Sequence, residues 1–150
     1  MNRIVVILLF IAVVLGCGFL IGANNLPGEW YQSLAKPWFT PPNWLFAPAW
    51  TVLYVIVGFV GGRLFLDHRR SPAMRWWVAQ MIFNFAWSPL FFGMQEIAMA
   101  LIVMLSLLIS IVGFMATAMR QDRLSALLFV PYLVWVGLAT ALNTSILLAN

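Results

Sequence analysis

The chain has 150 residues, room for one domain, with 64% hydrophobic and 8% charged residues and a formal net charge of +4. So apolar a composition excludes an ordinary water-soluble globule. The basic residues stand in short clusters between apolar runs rather than along one face or tail, which excludes nucleic acid as a natural partner and makes the arginines signals of membrane topology.

A bilayer core needs about 20 apolar residues per helix, and such blocks recur at 4–23, 47–66, 74–92, 97–119 and 124–149. They predict one all-α domain, residues 1–150, built as a bundle of five transmembrane helices. The first block follows Arg3 and contains Val14-Leu15-Gly16-Cys17, which has the form of a lipoprotein cleavage box. Cleavage there would leave Phe19 to Ala23 joined to further spans and no soluble mature domain, so Cys17 is expected inside the first helix. As the only cysteine it has no partner for an intrachain disulfide or a thiolate metal site.

Residues 24–46 form the first connection, and the stretch Asn24 to Asn43 carries prolines at 27, 37, 41 and 42, which forbid a continuous helix. Trp30, Tyr31, Leu34, Trp38 and Phe39 make it too apolar for a free linker. The connection is therefore expected to fold back as a lid over the helix ends, a simple interfacial aromatic belt being the alternative. The later connections, Asp67 to Pro72, Gly93 to Glu96 and Arg120 to Arg123, are short and predict antiparallel neighbours.

Alternation of five spans puts Arg3, Arg63, Arg69, Arg70, Arg75, Arg120 and Arg123 on one membrane side and Lys36 alone on the other, which places the N-terminus in the cytoplasm of an inner-membrane protein. An outer membrane, where the rule has no direct force, stays open. Alternation also brings Trp50 and Tyr54 of the second span, Asn84, Trp87 and Ser88 of the third, and Thr140, Asn143 and Thr144 of the fifth to the side of the first connection. Gln80, Asn84 and Ser88 share one face at i, i+4, i+8; they serve either interhelical hydrogen bonding or a ligand. Pro89 and Pro131 remove the donors for the carbonyls of Phe85 and Leu127 and predict bends that leave a cavity. Gly18 and Gly22, Gly58 and Gly62, and Ser106, Ser110 and Gly113 offer close-packing seams, within the bundle or in a homodimer.

Four motifs in register resemble the TspO/translocator protein family: Trp30-Tyr31-x2-Leu34-x-Lys36-Pro37-Trp38-x2-Pro41-Pro42; Pro48-x-Trp50-x2-Leu53-Tyr54; Asn84-x2-Trp87-x-Pro89-x-Phe91-Phe92-Gly93; and Pro131-Tyr132-Leu133-x-Trp135-x3-Ala139-Thr140-x-Leu142-Asn143. The resemblance covers nearly the whole chain. It implies a five-helix bundle, often a homodimer, that binds porphyrins, and in some members cholesterol or aromatic drugs, in a cavity under the first connection. Carried over by position, the pocket residues are Tyr31, Trp50, Gln80, Asn84, Trp135, Ala139 and Asn143. Trp50 and Trp135 match tryptophans linked in bacterial relatives to light-dependent breakdown of protoporphyrin. The animal sterol motif, an aromatic and then an arginine after the asparagine, is replaced here by Thr144 to Asn150, which speaks against sterol binding of that type and for a bacterial envelope protein.

With Lys36, Trp38, Tyr54 and Trp87 added from their own positions, these residues make up the expected ligand site. The ligand is expected to be a metal-free protoporphyrin, because the only histidine, His68, lies among arginines on the opposite side and haem would want an axial ligand. Lys36 is the expected partner of a propionate. Glu29, Asp67, Glu96 and Asp122, all in or beside connections, form no catalytic set, and neither a metal nor a required cofactor is expected. The chain then reads as a porphyrin sensor, regulator or carrier. Two alternatives are light-dependent porphyrin degradation through Trp50 and Trp135, and a structural membrane adaptor without ligand.

Overall fold

The computed structural model describes residues 1–150, and every regular element in it is helical. α1 (Arg3–Asn24) is a nearly unbroken aliphatic run started by Asn2, whose side-chain oxygen accepts the Ile4 N–H at 2.9 Å. A short α2 (Glu29–Ser33) interrupts the first connection. α3 (Asn43–Asp67) begins just after the Pro41-Pro42 pair, where a helix start needs no N–H from the residues before it, carries Pro48 within its length, and ends at His68. Ser71 caps α4 (Pro72–Ser88) by accepting the Met74 N–H at 3.2 Å, and Pro72 opens the first turn.

At Pro89 the regular ladder fails for want of an N–H. The chain widens into a π-helical turn, Pro89–Gly93, closed by Met94 N–H on the Pro89 carbonyl at 2.8 Å. Gln95, with φ 59°, reverses the chain into α5 (Ile97–Gln121). Asp122 caps α6 (Arg123–Leu128), and a break at Phe129 precedes α7 (Val130–Ala149).

Four stretches are long and apolar enough to cross a membrane: Arg3–Asn24, Asn43–Asp67, Ile97–Gln121, and Arg123–Ala149 taken through the break at Phe129. The third expected span, 74–92, is divided between the 17-residue α4 and the π turn, and α4 alone is shorter than a bilayer core. The fifth, 124–149, is two helices because Pro131 supplies no donor for the Leu127 carbonyl; Phe129 N–H closes on Ala126 at 3.2 Å instead.

α1 packs on α3, while α4 and α7 pack on α5. The α1–α3 seam depends on missing side chains: a Cβ on Gly58 would stand 2.6 Å from Ile11 Cα, and one on Gly62 2.8 Å from Ile7 Cα. Gly18 lies against the Tyr54 ring and Gly113 against the Trp76 indole, so these glycines serve packing within the chain, whereas Gly22 faces open space. The core runs through Val57, Val60, Leu64, Trp77, Met104, Ile111, Phe114, Phe129 and Tyr132. Large apolar side chains such as Ile4, Leu8, Val13, Leu20, Ile102 and Ile109 point outward, as lipid-facing residues do.

Charge collects at one end. Arg3 meets Asp67 at 2.7 Å across α1 and α3, and Arg63 meets Asp122 at 2.9 Å across α3 and the α5–α6 turn. Ser125 adds an O–H bond of 2.5 Å to Asp122. Burial raises the Asp122 pKa, but the Arg63 and Ser125 hydrogen bonds outweigh it and hold the carboxyl below the usual aspartate value.

A closed aromatic cavity at the end opposite the arginines

α2 ends after five residues, and local donors take up the carbonyls at and beyond its last turn. Lys36 Nζ donates to the carbonyls of Tyr31 at 2.6 Å and Leu34 at 3.1 Å, and lies 4.6 Å from the Tyr31 ring centroid. The Asn150 side chain clasps Ala35 from the end of α7, accepting its N–H at 3.1 Å and donating to its carbonyl at 3.0 Å. So held, α2 presses Tyr31 into the bundle, where it is 3% exposed and meets Phe91 and Phe92 edge-on.

Beneath it lies a cavity lined by Tyr31, Phe46, Trp50, Trp87, Phe91, Phe92, Trp135, Ala139, Leu142, Asn143 and Ile146. Its free volume is about 20 Å³, enough for a single water. Trp50 and Trp135 stand edge to face, centroids 6.4 Å apart, and Trp87 stacks on Phe91 at 5.1 Å. Asn143 accepts the Trp87 indole N–H at 3.0 Å and donates to the Ile97 carbonyl at 3.1 Å, so its amide is already engaged.

A polar chain crosses the core next to the cavity. Tyr54 O–H donates to Asn84 Oδ1 at 3.0 Å, Asn84 Nδ2 to the Tyr132 hydroxyl at 2.5 Å, and Tyr132 O–H to Gln80 Oε1 at 2.8 Å. The two buried side-chain groups left without partners are Gln80 Nε2 and the Tyr31 hydroxyl. Burial raises the Tyr31 pKa, so that hydroxyl stays a donor at neutral pH.

Of the residues expected in a ligand site, Tyr31, Trp50, Trp87, Trp135, Ala139 and Asn143 do line one cavity. Gln80, Asn84 and Tyr54 form the polar chain rather than the wall. Lys36 is committed to backbone carbonyls, and Trp38 stands outside at 95% exposure. Phe46, Phe91, Phe92, Leu142 and Ile146 complete the wall without having been among the expected site residues; Phe91, Phe92 and Leu142 stood in the quoted motifs, whereas Phe46 and Ile146 gave no signal against a background of apolar spans. Tyr132, the centre of the polar chain, stood in a motif but not among the expected site residues. No group of three His, Cys, Asp or Glu side chains converges anywhere.

An all-helical integral membrane protein with a narrow, tryptophan-lined cavity at one end is the class that fold and site define. The family model described as TspO/MBR matches residues 8–148. The chain is 38% identical to the tryptophan-rich sensory protein of Cereibacter sphaeroides over 137 residues, 90% of this chain and 87% of that one. It is 40% identical to the tryptophan-rich protein TspO of Archaeoglobus fulgidus over 125 residues (81% and 80%), and 31% identical to the human translocator protein over 140 (86% and 80%). The chain belongs to the TspO/MBR family.

Proposed function

We propose that the chain is a membrane-embedded porphyrin-binding protein acting as a sensor, regulator or carrier, with the aromatic cavity as its site. The observation that carries this reading is the convergence of Tyr31, Trp50, Trp87 and Trp135 around one apolar space with an unpartnered buried hydroxyl on its rim. Flat aromatic surfaces suit a flat macrocycle, and a ligand acceptor would relieve the Tyr31 donor, whose isolation costs about 1–3 kcal/mol. The name of the Cereibacter sphaeroides relative includes the word sensory, which favours signalling over turnover.

In this reading α4 and its π turn, Pro72 to Gly93, together form the third of five spans, and the first connection is a lid on the non-cytoplasmic side. A site of about 20 Å³ is far below the roughly 300 Å³ or more of ordinary ligand pockets, so the lid lifts before a tetrapyrrole enters. Metal-free protoporphyrin is favoured over haem because His68 lies at the end of α3, beyond the opposite face of the bundle. A six-coordinate haem Soret spectrum, with haem bound tighter than protoporphyrin, would overturn that choice.

The edge-to-face Trp50–Trp135 pair favours one second reading, light-driven porphyrin breakdown with dioxygen as oxidant and the indoles as electron donors. Fluorescence of bound protoporphyrin, dark and illuminated, separates the readings. A sensor or carrier binds in the dark and loses porphyrin under light at the same rate in wild type and in the double variant W50F/W135F. Loss that stops in the double variant while dark binding persists establishes the photochemical reading, and absence of saturable dark binding rejects both.

A further inference from the structure

At the charged end, α3 and α4 diverge around an open groove of about 600 Å³ lined by Phe65, Arg69, Arg70, Met74, Arg75 and Val78. Its chemistry is divided. Phe65 comes from α3 and Met74, Arg75 and Val78 from α4, whereas Arg69 and Arg70 belong to the turn between them. All three arginines are exposed.

The four acidic residues of the chain leave these cations unneutralised. Asp67, the nearest in sequence, is held by the two terminal guanidinium nitrogens of Arg3 at 2.9 and 2.7 Å, and Asp122 is held by Arg63. Glu29 and Glu96 lie in the connections at the cavity end. The groove thus pairs a cluster of three uncompensated cations with an apolar wall that continues onto the outer face of the bundle, where Val78 and Ile82 are exposed.

We propose that this groove binds the headgroup of an anionic phospholipid, the arginines holding its phosphate and an acyl chain lying along Phe65, Met74 and Val78. Bidentate guanidinium–phosphate bonding supplies orientation, and the adjoining apolar wall selects a lipid over a soluble anion. A merely topological role would need the positive charge but no groove. The turn between α5 and α6 provides the comparison, since Arg120 and Arg123 are exposed there and take no part in this groove.

Native mass spectrometry of the full chain released from mild detergent, with phosphatidylglycerol against phosphatidylcholine of the same chains, tests this. The expected result is a phosphatidylglycerol preference of about tenfold or more in wild type and in R120Q/R123Q, lost in R69Q/R70Q/R75Q. Equal loss in both variants, or none in the triple variant, overturns the site. Should the triple variant not fold, photoreactive phosphatidylglycerol on the wild type decides. Labelling at Phe65, Met74 or Val78 that unlabelled phosphatidylglycerol displaces supports the groove. Labelling confined to other helices, or displacement by phosphatidylcholine or by glycerol phosphate, refutes it.

Discussion

The clasp between Asn150 and Ala35 makes the proposed lid testable. N150A removes two hydrogen bonds, 3.1 and 3.0 Å long, that join the first connection to the end of α7. Both are exposed, so each contributes about 0.5–1 kcal/mol, at the low end for a net hydrogen bond. The third bond of that side chain, to the Ile146 carbonyl at 2.8 Å, lies within α7 and does not distinguish closed from open. Losing the clasp therefore favours the open state by about 1–2 kcal/mol, roughly five- to thirtyfold in population. Porphyrin that enters only the open state gains the same factor in apparent affinity while that state remains the minor one. Stopped-flow quenching of protein fluorescence by protoporphyrin should show N150A associating faster by that factor, with the thermal midpoint nearly unchanged. Equal association rates in N150A and wild type would refute lid opening at this clasp as the step that admits ligand.

Three further outcomes follow from the packing. G58A forces a methyl to within 2.6 Å of Ile11 Cα and should cost about 1–3 kcal/mol, whereas G22A, with open space around it, should leave the thermal midpoint unchanged. D122A strands the half-buried Arg63 and should destabilise by about 2 kcal/mol, below the cost of a fully buried pair because Arg63 keeps 27% exposure. Because Asp122 titrates lower in the fold than its ordinary value of 3.8, its contribution is complete above that value and lost as pH falls through the lower folded one. Thermal melts at pH 7 and pH 3 should therefore show the gap between wild type and D122N narrowing in acid.

Much of the helical frame is legible because punctuation in the sequence is strong. Pro41-Pro42 starts α3, Ser71-Pro72 starts α4, and the arginine turns separate the apolar runs. What happens at an internal proline is less legible. The missing N–H of Pro89 predicts a bend, but the wider turn depends on Met94 reaching back five residues and on Gln95 adopting a positive φ, neither of which apolar periodicity encodes. α2 is hidden for the same reason, a five-residue helix between prolines with no period to read.

The cavity wall was legible where an aromatic or amide residue broke the aliphatic background, as at Trp50, Trp87 and Asn143. Lys36 is expected to meet a propionate, but its ammonium is taken up by the carbonyls of Tyr31 and Leu34 at the end of α2, a local closure that spacing does not reveal. Trp38 departs from the expected inward fold and stands exposed, while Leu34 and Phe39 on either side of it pack against the cluster around Tyr31 and Phe91. Of the expected inward stripe Gln80, Asn84 and Ser88, the first two are buried and join the polar chain, while Ser88 is only partly buried and stays outside it. The partner of Gln80 and Asn84, Tyr132, comes from α7, and such pairing across helices depends on rotation about each axis, which one chain's spacing does not fix.

Titration of protoporphyrin in the dark against wild type, A139W and W38F tests the cavity most directly. Ala139 lines the wall, where an indole would fill the space a macrocycle needs, while Trp38 stands outside it. Saturable binding that is equal in wild type and W38F and at least about tenfold weaker in A139W, a loss of about 1.4 kcal/mol, is the predicted result. Undiminished binding by A139W, or binding lost in W38F alone, would place the ligand somewhere other than this cavity.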